Sequence, residues 1–248
     1  MYTRLSELKN LIIAAQDGDI GRCRDFLFDD EHWTVRYLEI NTSRWLLGRR
    51  VLISPASVKV PDFREGRLPV SLTRDAIKAA PGLEEHQPIS RQYEIDYARY
   101  YGQMHYWGGG GVWGIGAYPV DILQTTDTVP PVDENPRKVT DQDHDTPHLR
   151  SAAEVIGYRI QATDGELGAV EDFVVDTATW TIVFAMLDTR RWLPGRRVLL
   201  PISWAASISW AERAFTVDVS KRSIETAPPL AEPISAEAVK AYLNHFGR

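Results

Sequence analysis

Asp17-Gly18-Asp19-Ile20-Gly21 and, farther along, Asp164-Gly165-Glu166-Leu167-Gly168 decide the fold of this 248-residue chain. A constant offset of 147 relates the two stretches. The same shift carries Asp25-Phe26 onto Asp172-Phe173, Trp33-Thr34 onto Trp180-Thr181 and Arg44-Trp45 onto Arg191-Trp192. It also carries Gly48-Arg49-Arg50-Val51-Leu52 onto Gly195-Arg196-Arg197-Val198-Leu199. No gap is needed from residue 17 to residue 54, and the register persists weakly through Val70/Val217, Ile77/Ile224 and Pro81/Pro228. An ungapped match of this length reads as duplication of one folded unit of roughly 80 residues.

Outward from these turns, the pattern is one of short strands. Asp-Gly supplies the backbone conformation that a tight hairpin needs, so Leu11–Ala15 and Cys23–Phe28 read as strands on either side of it. Val35–Ile40 and Val51–Ile53 follow, rich in β-branched and aromatic residues. Ala56–Val60 and Leu68–Ser71 read as two more short strands, and a helix over Arg74–Ala79 ends ahead of Pro81. The second copy reads the same way, through Val170–Val175, Ile182–Leu187, Val198–Leu200, Ser203–Ser207 and Ala214–Val219. The expectation is a mainly β protein: two tandem small antiparallel β-barrels, closed so that no strand edge is left open. Ser235–Leu243 reads as a C-terminal helix with an N-cap serine, its face of Val239, Tyr242, Leu243 and Phe246 docking on a barrel.

Charge divides the chain into the same pieces. Residues 1–82 hold 13 basic and 11 acidic residues (+2), residues 83–148 hold 4 and 11 (−7), and residues 149–248 hold 11 and 12 (−1), for a net of −6. The expected organisation is therefore a first barrel over 1–82, an acidic, aromatic and glycine-rich connector over 83–148, a second barrel over 149–232 and the helix over 233–248. No stretch approaches the ~18 apolar residues of a membrane span, and the start of the chain carries Glu7 ahead of any apolar run, which reads as a cytoplasmic protein. The lone Cys23 excludes an intramolecular disulfide framework.

Asp17–Gly21, Asp25–Asp29, Val35–Glu39 and Arg50–Pro55, with Asp164–Gly168, Asp172–Asp176 and Arg197–Pro201, resemble the PRC-barrel domain. That family is similar to the cytoplasmic domain of the photosynthetic reaction-centre H subunit, and it includes the C-terminal domain of a ribosome-maturation protein. The tract from Ser90 through Tyr100-Tyr101-Gly102 to Tyr106-Trp107 is also similar to bacterial proteins with two such barrels. The resemblance implies a fold rather than a reaction. In the H subunit, barrel carboxylates help deliver protons toward a quinone. Glu39 falls in the similar segment, but its repeat partner is Met186, so a solvated strand carboxylate is the preferred reading.

Other candidate residues carry weaker signals. Cys23, opposite Val170 in the repeat, reads as a buried structural thiol. Gly109–Gly114 formally fits a dinucleotide fingerprint, yet Ile115–Pro119 cannot open the helix that the fingerprint requires. Asp141, Asp143, His144, Asp145 and His148 form an acidic segment without the glycine and glutamate of a calcium loop. A solvated linker with at most weak cation binding is expected there, and no cofactor or catalytic constellation is found elsewhere. Two features suit a partner. Trp45, Arg49, Arg50, Trp192, Arg196 and Arg197 interleave aromatic rings with arginines, which either stack on bases and pair phosphates or bridge strand carboxylates within the hairpin. A net charge of −6 disfavours general nucleic-acid affinity. Tyr93 and Tyr97 with Tyr100 and Tyr101 fit one helix face, and with Tyr106, Trp107 and Trp113 they make an aromatic tract suited to packing on the barrels, on a second subunit or on a protein partner. The functional expectation is a non-enzymatic, self-associating scaffold. The alternatives are an RNA- or ribosome-associated factor and a peripheral partner of a photosynthetic or electron-transfer membrane complex.

Overall fold

A computed structural model describes residues 1–41, 49–84, 89–123, 149–189, 197–227 and 234–245. In chain order the elements are β1 (Tyr2–Arg4), α1 (Leu5–Lys9), β2 (Ile12–Ala15), β3 (Gly18–Asp29), β4 (Thr34–Asn41) and β5 (Arg49–Ile53). After a 3-10 turn at Pro55–Ser57 come β6 (Arg67–Pro69), α2 (Arg74–Ala79), β7 (Leu83–Glu84) and α3 (Arg91–Tyr101), then a second 3-10 turn at Pro119–Ile122. The rest comprises β8 (Leu149–Ser151), α4 (Ala152–Val155), β9 (Arg159–Ala162), β10 (Gly165–Asp176), β11 (Thr181–Asp188) and β12 (Val198–Pro201). A third 3-10 turn at Ile202–Trp204 leads to β13 (Ala205–Ser209), β14 (Ala214–Val217), α5 (Lys221–Glu225) and α6 (Ala236–His245).

The chain forms two compact units whose membership does not follow chain order. One, here the first unit, comprises Lys9–Arg150 with Ala178–Trp180; the second comprises Met1–Leu8, Ser151–Thr177 and Thr181–Arg248. Residues 1–8 thus build a unit made otherwise from the second repeat. There β1 pairs with the end of β10, Thr3 opposite Val175. In the first unit β8 pairs with β3, and Arg150 Nε donates to Asp30 Oδ2 at 2.9 Å.

The ladders of the two units correspond pair for pair under the offset of 147. Ile13 faces Gly21 as Ile160 faces Gly168, Cys23 faces Ile40 as Val170 faces Leu187, and Leu38 faces Ile53 as Ala185 faces Leu200. Both long strands carry irregularities at the same two places, between Cys23 and Asp25 and between Leu27 and Phe28 in β3, with counterparts in β10. A further irregularity in each strand lies where it pairs with β2 or β9, between Asp19 and Gly21 and between Glu166 and Gly168, and glycine is required there. Gly21 sits at φ +146° and Gly168 at +125°, and a Cβ there would meet the carbonyl oxygen of Asn41 or of Asp188 at 2.2 or 2.1 Å.

Two sequence expectations change. The architecture is mainly β, but the sheet is not closed by hydrogen bonds, and it is not wholly antiparallel. β2 runs parallel to β6 and β9 parallel to β14. The reason is a count. In the second unit β12 and β13 run the same way, linked covalently by the 3-10 turn, so β9, β10, β11, β12–β13 and β14 make five positions. An odd cycle cannot alternate direction throughout, so one neighbouring pair must be parallel. In the first unit the stretch expected as a strand over Ala56–Val60 is instead the 3-10 turn, where Ser54 Oγ accepts from Ala56 N and only Val58 bridges to Val70. Pro55 removes a ladder donor at that point and favours the turn.

The cores are those the pattern implies. Ile13, Phe28, Val35, Leu38, Ile53 and Leu68 are fully or nearly fully buried in the first unit, as are Ile160, Val175, Phe184, Leu200 and Phe215 in the second. β4 is covered on both faces, with seven consecutive residues from Thr34 to Ile40 buried. Among the described residues no helix is long and apolar enough to cross a membrane.

Candidate functional site

The connector covers β4 in the first unit. Ser90 caps α3, its Oγ accepting from Tyr93 N at 3.2 Å, and Gly102 ends the helix in the left-handed conformation at φ +60°. The helix turns Tyr97 inward, where its hydroxyl accepts from Ser54 N at 2.9 Å and its ring meets Tyr37 edge-on at 5.2 Å. In the second unit α6 does the same. Ser235 Oγ accepts from Ala238 N at 3.1 Å, Tyr242 OH accepts from Leu199 N at 3.4 Å, and its ring lies edge-on to Phe184, the repeat partner of Tyr37. Val239 and Tyr242 are buried but Leu243 is exposed, and Phe246 lies outside the described residues. A sequence signal for this pairing exists. Pro88-Ile89-Ser90, Tyr97 and Gly102 match Pro233-Ile234-Ser235, Tyr242 and Gly247 at an offset of 145. The two-residue change of register hides it from a search at 147.

Beyond α3 the connector clamps a buried arginine. Arg36 is 1% exposed; its Nε donates to Asp29 Oδ2 at 2.6 Å, and its guanidinium lies over the rings of Tyr106 at 4.0 Å and Trp113 at 4.6 Å. Tyr106 OH donates to Glu94 Oε1 at 2.8 Å, Arg91 Nη1 donates to Glu94 Oε2 at 3.1 Å, and Arg91 lies over Trp107 at 4.0 Å. Burial, with the Glu94 carboxylate beside it, pushes the Tyr106 phenol well up, and burial lowers His105, which stacks on Trp107 at 4.7 Å. A buried charge is tolerable only when paired and hydrogen-bonded; this chain of contacts pairs Asp29 with Arg36 and Arg91 with Glu94, while Arg36 Nη1 is buried without a hydrogen-bond partner among the described residues. Trp113 is fully buried, its Nε1 donating to Thr179 O at 2.7 Å. The glycine run lets the backbone close up beside this clamp. A Cβ on Gly111 would meet the Gly116 carbonyl oxygen at 2.3 Å, so the backbone can fold back there only with glycine.

The second 3-10 turn is tied to the stretch after α3, Met104 N donating to Ile122 O at 2.7 Å and Gln103 bridging to Leu123. Pro119 and Ile122 face inward there, while Asp121 Oδ2 accepts from Tyr118 N at 2.8 Å. The neighbouring apolar side chains face out, with Ile115 74%, Tyr118 51%, Val120 59% and Leu123 40% exposed.

The residues singled out in sequence separate accordingly. Tyr106 and Trp113 are buried in the clamp, Trp107 is half-buried on Arg91, and Tyr101 packs on Tyr97 at 4.7 Å. Tyr100 is 41% exposed and donates to Ala76 O at 2.8 Å. Arg50 makes two bonds to Glu39, from Nη2 at 2.6 Å and Nε at 3.1 Å. Glu39 is therefore not the solvated carboxylate expected; it is buried, with Arg24 also 3.5 Å away, because two arginines on neighbouring strands converge on it. Arg197 lies 3.9 Å from Glu171. Trp45, Trp192, Arg196 and the Asp141–His148 segment lie outside the described residues, and of Arg49 only the backbone, opposite Glu84, is described. Cys23 is buried, and burial pushes its thiol up. The sequence reading missed Arg36 and Glu94.

These features define a class: small, curled, mainly β units, each overlaid by a capped helix. Residues 147–224 match the family model of the PRC-barrel domain, which places that domain in the second repeat. The match suggests a small β-barrel with a protein-interaction or scaffold role. No curated protein matches the chain.

Proposed function

We propose that the protein is a non-enzymatic, cytoplasmic scaffold built from two PRC-barrel-type units, the first a diverged copy of the second, and that it associates with itself. The observation that carries this reading is the outward row of Ile115, Tyr118, Val120 and Leu123. Grouped apolar side chains left in water mark interaction sites, and the bond from Met104 N to Ile122 O with the Gln103–Leu123 bridge ties this turn to the stretch after α3. A rigid presentation lowers the ordering cost of association. Kinship with the reaction-centre H subunit rests on the shared strand residues alone. The described arginines at Arg50 and Arg197 face carboxylates, so nothing described favours RNA over protein as partner. Light scattering on the full chain at micromolar concentration tests the proposal. A dimer or larger species that Ile115→Asp with Val120→Asp reduces to monomer supports it, and a wild-type monomer under those conditions overturns it.

A further inference from the structure

We propose that the slot occupied by residues 1–8 in the second unit also accepts the same residues from a second copy of the chain, so that copies link by exchanging this segment. The proposal rests on the self-association reading and names a contact separate from the Ile115–Leu123 row.

The slot is specific. β1 adds a strand to β10, Tyr2 opposite Asp176, Thr3 opposite Val175 and Arg4 opposite Val174. Leu5 and Leu8 are 3% and 0% exposed. Ser6 donates from Oγ to Asp172 Oδ2 at 2.5 Å and from its backbone N to Asp172 Oδ1 at 3.4 Å. Asp172 is itself 4% exposed, and Phe173 N is its other donor. The segment also carries its own fold. Thr3 Oγ1 donates to Glu7 Oε2 at 2.7 Å and Arg4 Nη2 to Glu7 Oε1 at 2.7 Å, which closes the turn from β1 into α1. Strand addition supplies affinity through the backbone, and pockets supply the choice of sequence. Here the Asp172 carboxylate takes Ser6, which stands between the buried Leu5 and Leu8. The equivalent segment of the second repeat lacks that signature, since Leu5, Ser6 and Leu8 correspond to Ala152, Ala153 and Val155.

None of these contacts requires the segment and the slot to belong to one chain. The boundary between the two units falls in the last turn of α1, and only Asn10 and Leu11 separate that helix from β2. Exchange of an identical element between protomers is a low-cost route to association, because the interface already exists within each chain.

Two full-length variants that each add one cysteine test this, Tyr2→Cys and Asp176→Cys, at paired and half-buried positions; Cys23 is buried and stays silent. Mixed, incubated at high concentration and treated with a short bismaleimide, they give a covalent heterodimer if segments exchange. Ser6→Ala in the Tyr2→Cys chain lowers the yield severalfold, and Leu8→Arg lowers it about tenfold or more. If light scattering shows an oligomer but only the doubly substituted chain cross-links, and within itself, exchange is overturned while self-association stands. If the mixture gives no cross-link and the chain is monomeric, both readings fall.

Discussion

The two repeats share their ladders, their bends and the tyrosine that anchors the overlying helix, yet their outer layers are built from opposite materials. Where the first has Arg36, Glu39 and Glu94, the second has Val183 and Met186 from the 147 offset and Val239 from the helix offset. Asp29 and Asp176 are common to both. In the first unit Asp29 bonds to a buried guanidinium, whereas Asp176 is part-exposed. The second unit therefore holds its helix by apolar contact and one tyrosine bond. The first adds a relay of charges that locks a further stretch of chain, and it ends in an exposed apolar turn. Corresponding ladders can thus carry different covering layers, and the exposed apolar turn lies in the first unit. The family match covers residues 147–224, in the second repeat.

The sharpest way to break this comparison is Arg36→Ala. It takes the cationic partner from the buried Asp29 carboxylate, which keeps only the bond from His32 N to Oδ1 at 2.6 Å and the nearby His32 ring, so the first unit loses about 3 kcal/mol or more, while Val183→Ala in the second costs about 1 kcal/mol; hydrogen exchange resolved by unit reads both. Leu8→Ala, at a fully buried position, costs the second unit about 2–4 kcal/mol. The same readout places that loss in the unit built from the second repeat, far along the chain from the substitution. Glu94→Val copies Val239 into the first helix and leaves Tyr106 and Arg91 without their shared acceptor, for about 2–3 kcal/mol. Glu94→Val with Arg91→Leu recovers part of it in a double-mutant cycle. Gly21→Ala and Gly168→Ala drive a Cβ into a carbonyl oxygen, and each costs about 1–3 kcal/mol. Near-equal losses would show that the bends, unlike the covering layers, are equivalent.

The smallest effect is in pH. Burial raises Asp172 above the ordinary carboxylate range, against the lowering effect of its bonds from Ser6 and Phe173. The folded state then holds this proton to higher pH than the unfolded chain does. Its contribution is fully present below the unfolded value near 3.9 and declines as pH rises through the folded one. Asp172→Asn removes that downward slope in a series of denaturant melts taken from acid toward neutrality, and an unchanged slope would count against the assignment.

Much of the scaffold was legible in the sequence because the offset of 147 runs ungapped through every hairpin, and strand positions follow from period and turn chemistry alone. α2 matches its expected span of Arg74–Ala79, capped by Thr73. The clamp was not legible. Arg36 has the look of a solvent-facing strand residue, and its partners Tyr106 and Trp113 lie about 70 residues on in a segment with no repeat to compare. For Tyr106 and Trp113 the sequence leaves packing on the barrels, on a second subunit or on a partner open, because aromatic composition does not say which rings turn inward. β1 and β8 escaped notice because three-residue strands carry no periodicity. Parallel pairing escaped because it follows from counting positions in the whole unit, not from any local signal.

The placement of residues 1–8 has a consequence for biosynthesis. Ser6 and its carboxylate acceptor are 166 residues apart in sequence, and β1 finds its partner only once Val174–Asp176 have been made. At ribosomal speeds of roughly 5–20 residues per second, β1 waits about 10–35 seconds after its own synthesis for the edge that receives it. During that interval its backbone and the leucines that follow it are open to any chaperone or neighbouring nascent chain.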